Sequence, residues 1–216
     1  PSPPRRSPAT TRCAHASPAG ATNVVTDGDM ELAGITNWPH TNVTATNSSA
    51  KATDQKAGGA QSLKNTSATG DRTSVEWYNA QGLGTIAGNS TVSLSFWYGF
   101  RYNSSAANGL GTLYVDVRRD GGAWTQIWTA TLSPSTTFTS ATVSPQDVST
   151  SFGTTGTYEM RLRFSGRTGR NASASINIWW DNVVLDVATP CTHSTPTVTL
   201  VGTSAQTACR GGSVQY

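Results

Sequence analysis

Charge is scarce in this chain: only 12% of its 216 residues are Asp, Glu, Lys or Arg, roughly half the ordinary share. The formal net charge of +3 belongs to the ends. Arg5, Arg6 and Arg12 lie near the start and Arg210 near the finish, which leaves residues 21–190 with eleven basic against twelve acidic groups. A polyanion-binding domain concentrates positive charge on its folded face, so this placement argues against nucleic acid as a partner. Long apolar runs are missing too: none approaches the ~20 residues of a membrane span. The opening PSPPRRSPATTR lacks the apolar stretch of a secretory signal, which implies a removed signal or an incomplete start. Cysteine numbers three, with no CxxC spacing, and His15, His40 and His193 are scattered, which excludes a zinc-type cluster. Neither GxSxG nor a P-loop occurs. Glu76 and Glu159 sit on ordinary alternating strands, so no glycosidase pair stands out, and the expectation is a protein that is not an enzyme.

What is present reads as β structure. Seven Trp, six Tyr and five Phe seed a core, while hydroxyls and amides keep the surface wet. Strict alternation runs from Thr91 to Phe100, with Val92, Leu94, Phe96, Tyr98 and Phe100 on one face and Ser93, Ser95, Trp97 and Gly99 on the other. Leu113, Val115 and Val117 alternate with Tyr114, Asp116 and Arg118, and Asp120-Gly121-Gly122 then turns the chain back through Trp124 to Thr131. Tyr158, Met160, Leu162 and Phe164 alternate with Glu159, Arg161 and Arg163. Weaker strands are expected around 22–31, 42–46, 60–65, 73–79 and 137–143. In the last strand, Ile176, Ile178 and Trp180 are apolar at even positions, but Val183, Leu185 and Val187 at odd ones. One face cannot hold both sets, so a bulge is expected at Asp181-Asn182. No sustained 3.6-residue pattern exists. The fold class is all-β, a two-sheet antiparallel sandwich.

Texture divides the chain into a Pro-rich extended tail over 1–20, the sandwich over 21–190, and a linker with a new strand start over 191–216. Cys13 and Cys191 bracket the patterned region. First and last strands that pair would bring them together, so a Cys13–Cys191 disulfide in an oxidising compartment is expected; the alternative is unpaired thiols in a cytosolic protein.

Asp27-Gly28-Asp29-Met30-Glu31 followed by Trp38, Gly58-Gly59-Ala60-Gln61-Ser62-Leu63, Ser93-Leu94-Ser95-Phe96-Trp97 and Trp180-Asp181-Asn182-Val183 resemble, in order, the landmarks of jelly-roll carbohydrate-binding modules of families four and nine. Adhesin-like surface domains share that layout, including the Asp120–Trp124 hairpin. Pro196 to Tyr216, with Cys209-Arg210-Gly211-Gly212, is similar to the first strands of the immunoglobulin-like repeats of Bacteroidota surface proteins, which would place the partner of Cys209 beyond Tyr216. The resemblance implies a structural calcium between first and last strands. Glu31 and Asp181 would supply carboxylates, and carbonyls near Asp29 and Gly58 would complete the shell, a donor set calcium accepts.

A sugar platform is the other candidate site, since outward aromatics edged by polar groups suit glycans. Trp97, Tyr114, Asp116, Arg161 and Arg163 point away from their strands' apolar rows. The alternative is that loops or a partner subunit cover them. Six Asn-x-Ser/Thr sequons, at Asn42, Asn47, Asn65, Asn89, Asn103 and Asn171, predict a glycoprotein only where the transferase exists; O-glycans near Pro suit a bacterial source better. Two functions follow. The first is a non-catalytic subunit of an extracellular filament or surface adhesin, a head-to-tail homopolymer built by strand addition through its terminal segments. The second is a carbohydrate-binding module of a secreted multidomain enzyme. Both place the chain outside the cell or on its surface.

Overall fold

The computed structural model describes residues 20–44, 47–67, 74–103, 111–133, 135–167 and 175–190. Cys13, Cys191, most of the Pro-rich tail and the segment expected to resemble immunoglobulin-like repeats lie outside these residues, so the expected disulfide and second domain fall outside them too.

Eleven strands form among the described residues: β1 (Thr22–Asn23), β2 (His40–Thr44), β3 (Asn47–Ala52), β4 (Ser62–Ser67), β5 (Ser74–Ile86), β6 (Thr91–Tyr102), β7 (Gly111–Arg119), β8 (Thr125–Leu132), β9 (Thr139–Asp147), β10 (Gly156–Arg167) and β11 (Ile176–Ala188). One short 3-10 turn, Ser149–Phe152, precedes β10. The strands pair antiparallel in two sheets. The first has the order β3-β4-β11-β6-β9 with β1 also on β11, and the second β2-β5-β10-β7-β8. The architecture is a two-sheet jelly-roll sandwich. No helix among the described residues is long and apolar enough to cross a membrane.

The core forms where the period-two rows of the two sheets meet. Val92, Leu94 and Phe96 of β6 and Ile176, Ile178 and Trp180 of β11 are buried with Leu113, Val115, Val117, Met160, Leu162 and Phe164 of the other sheet. Trp77 packs on Phe164 with ring centroids 4.4 Å apart, and Phe96 meets Trp128 edge-on at 4.7 Å. Each fully buried aromatic or aliphatic side chain removes apolar surface worth about 1.5–3 kcal/mol from water.

The phase change in β11 resolves as a bulge: pairing with β6 skips between Asp181 and Val184, and Asn182 takes φ 50°. The bulge lets Val183 and Leu185 return to the core after Trp180. The opening loop packs onto it, with Val183 N–H donating to the Gly28 carbonyl at 2.8 Å. A Cβ at Gly28 would collide with the Val183 carbonyl, which is why Asp27-Gly28-Asp29 needs its glycine. Asp27 and Met30 turn through positive φ, so the strand expected over 22–31 is only two residues long. β3 was not anticipated. Its sequence NSSAKA has no apolar alternation and pairs on one side only, with β4.

Candidate functional site

The outward face of the second sheet carries a polar and aromatic lattice set by register. Tyr78, Arg163 and Tyr114 lie opposite one another across β5, β10 and β7. The next row holds Ala80, Arg161 and Asp116, and the next Gly82, Glu159 and Arg118. Alternation puts the intervening residues, Trp77, Leu162 and Val115 among them, into the core.

Ion pairs fix this lattice. Asp116 Oδ2 accepts hydrogen bonds from Arg161 Nε at 2.8 Å and Arg163 Nε at 2.7 Å, with its own side chain only 2% exposed. Arg118 Nη2 donates to Glu159 Oε2 at 2.6 Å, and Arg163 Nη1 reaches Glu76 Oε1 at 3.5 Å. The guanidinium groups also lie over rings. Arg161 sits 4.4 Å from the Trp124 centroid and 5.1 Å from that of Tyr78; Arg118 is 4.5 Å from Trp124 and Arg163 3.8 Å from Tyr114. Such contacts orient planar side chains. The result is three half-buried aromatic rings held among arginines whose charge three carboxylates balance.

Beside this lattice a cleft of about 390 Å³ opens, walled by Thr36, Asn37 and Pro39 and by Glu159, with Ala80 and Gly82 on its floor. Glu159 belongs to both features.

Four of the five residues expected to bind ligand, Tyr114, Asp116, Arg161 and Arg163, are thus brought together. Trp97 is not. It lies on β6 in the other sheet, is 8% exposed and packs against Phe138 at 6.1 Å between centroids. Its side chain does leave the β6 apolar row, but a residue arriving from the loop before β9 covers it. Tyr78, Arg118, Trp124 and Glu159 were not among the residues expected to bind ligand. Trp124 was detectable as the aromatic following the Asp120–Gly122 turn, and Tyr78 as the outward neighbour of buried Trp77.

Of the expected calcium residues, Glu31, Gly58 and Asp181 converge where the opening loop, the segment between β3 and β4, and the β11 bulge meet. Glu31 Oε1 accepts from Ala60 N–H at 2.7 Å and Gln61 N–H at 3.0 Å. Asp181 Oδ2 accepts from Ala57 N–H at 2.8 Å and Gly58 N–H at 3.3 Å, and its Oδ1 from Asn182 N–H at 2.7 Å. Asp29 stands apart, exposed, with a long 3.5 Å contact to Glu31 N–H. The N–H groups of Gln61 and Ala60 hold the Glu31 carboxyl below its usual range. Burial pushes Asp181 up, and the negative charge of Glu31 adds to it. Among the described residues no three His, Cys, Asp or Glu side chains gather around one point. The two carboxylates lie near enough for their charges to oppose each other, and backbone N–H groups occupy three of their four oxygens. The same end carries a buried ion pair, Lys51 Nζ to Asp27 Oδ2 at 2.6 Å, with the side chains 5% and 1% exposed.

No protein-family model matches the chain, and no curated protein matches it. Among solved structures it is similar to a family 61 carbohydrate-binding module in complex with β-1,4-galactotriose, at 13% identity and a TM-score of 0.48 over 76% of this chain and 97% of that one. A family 22 xylan-binding domain from Paenibacillus barcinonensis is similar at 14% identity and TM-score 0.48, over 82% of this chain and all of that one. A cyclase from Fischerella sp. is similar at 13% identity and TM-score 0.46, over 81% of this chain and all of that one.

Proposed function

We propose that this chain is a non-catalytic carbohydrate-binding module, secreted or displayed on the cell surface, that holds a glycan across the outward face of its second sheet. The observation that supports this reading is the convergence of Tyr78, Tyr114 and Trp124 with Arg118, Arg161, Arg163, Asp116 and Glu159 on three neighbouring strands and their hairpin, beside an open cleft. Sugars present apolar C–H faces to aromatic rings and hydroxyls to fixed donors and acceptors, and this lattice offers both. The ion pairs hold the side chains in place before a ligand arrives, so little rotamer entropy is lost on binding.

A structural calcium belongs to the same proposal: Glu31 and Asp181 would hold it, and its charge would offset theirs where the opening loop meets the last strand. Filament assembly through the terminal segments is a separate proposal that draws on residues outside the described ones; light scattering at high concentration tests it, and a strict monomer would remove it.

A glycan array with a panel of β-linked galacto-, xylo- and gluco-oligosaccharides tests the module reading. The wild-type chain should bind at least one class, and Trp124→Ala and Tyr78→Ala should each weaken binding at least tenfold, on the order of 1.4 kcal/mol, with unchanged circular dichroism. No binding to any glycan, or full binding by both variants, would count against it.

A further inference from the structure

Gly82 lies in the interior of β5, opposite Glu159 of β10. Glycine there weakens a strand, because it adds backbone entropy to the unfolded chain and leaves nothing to pack. Three other strand glycines have visible reasons. Gly84 takes φ +76°, and a Cβ at Gly99 or Gly111 would strike Phe138 or Phe164. Gly82 has neither reason: its φ is ordinary, and a Cβ built on it would meet nothing within 4 Å. The skipped pairing beside it, between Tyr158 and Glu159, therefore does not demand glycine either. What a side chain would do is rise from the cleft floor, which Gly82 shares with Ala80.

We infer that Gly82 keeps this floor bare so that one neutral sugar ring lies against the β5 backbone, with Thr36, Asn37 and Glu159 as its hydroxyl partners. The inference rests on the glycan-binding reading above and names the subsite and ligand class. Thr36 is exposed and Asn37 half-buried, and neither side chain bonds to another described residue, which leaves both for a ligand. The Gln81 amide is by contrast committed to the Thr26 backbone, at 2.9 and 3.2 Å. Neutrality follows from charge: among the described residues Glu159 is the one ionisable residue lining the cleft, and it is already bonded to Arg118. A uronate here would face a carboxylate and, among the described lining residues, no cation.

The test is calorimetric titration of wild type, Gly82→Ala, Gly82→Val and Trp124→Ala with the neutral oligosaccharide that binds wild type best, and with its uronic-acid counterpart. Valine suits a strand, so Gly82→Val should melt at or above the wild-type temperature yet bind at least tenfold more weakly, with Gly82→Ala between them. The uronate should bind wild type at least tenfold more weakly than the neutral sugar. If Trp124→Ala loses binding while Gly82→Ala and Gly82→Val bind as wild type does, the subsite is overturned and the lattice reading stands. Tighter binding of the uronate overturns the ligand class. A wild-type chain that binds no glycan removes both readings together.

Discussion

At the scale of single residues, the ion pairs do different work according to burial. Arg118 and Glu159 are each about one-third exposed, and pairs of that kind contribute little to stability. Lys51 and Asp27 are almost wholly covered. Asp27 also takes the Leu32 N–H at 2.9 Å on its other oxygen, and its carbonyl accepts from Trp38 Nε1 at 3.1 Å. Lys51→Met would strand that carboxylate without a cation, and removing one partner of a buried pair costs about 3–5 kcal/mol. Urea unfolding should show that loss; a change below about 1 kcal/mol would mean that the N–H donors alone hold Asp27. Alternation was enough to place Tyr114, Asp116, Arg161 and Arg163 on one kind of surface. It could not separate Trp97 from them, because a period of two tells which side of a strand a residue takes and not which loop crosses that side. Phe138 decides the matter, and nothing in its own neighbourhood marks it as a cover. Trp124 escaped for the same reason, since it reaches Arg161 and Tyr78 by folding back over the sheet.

At the scale of elements, the β11 bulge is the part most fully legible, because an apolar row that changes phase inside one strand has few other remedies. It puts Asp181 where burial keeps its proton to higher pH than in the unfolded chain. Such a group contributes stability below its unfolded value, and that contribution is lost as pH rises through its folded value. Calcium binds the ionised form only. In chelator-treated protein, added calcium should therefore raise the melting temperature by an increment that grows as pH climbs above the carboxylate range. A hundredfold excess over Kd corresponds to about 2.7 kcal/mol. No increment at any pH would remove calcium from the site. β3 was illegible for a physical reason: as an edge strand it is held by backbone pairing to β4, by the Lys51–Asp27 ion pair and by small polar side chains. One of these, Ser49, bonds His40 Nδ1 at 2.7 Å. Such contacts leave no hydrophobic period behind.

At the scale of the whole molecule, two amphipathic sheets seal their apolar rows against each other and leave chemistry to the outward faces, the ends and the loops. That much was readable from rows such as Val92 to Phe100 and Tyr158 to Phe164, because sheet burial is periodic. Which outward face would carry ligand was not readable, because it depends on strand order: β5, β10 and β7 are distant in sequence and become neighbours only in the sandwich. The lattice claim is therefore tested most directly by nitrogen-15 NMR of the chain titrated with a neutral β-linked oligosaccharide. The account predicts shifts for the Trp124 indole N–H and for backbone amides of Tyr78 to Gly82, Tyr114 to Arg118 and Glu159 to Arg163, while amides of β4 and β9 stay still. Shifts centred on Trp97 and the first sheet, with the Trp124 indole unmoved, would contradict it.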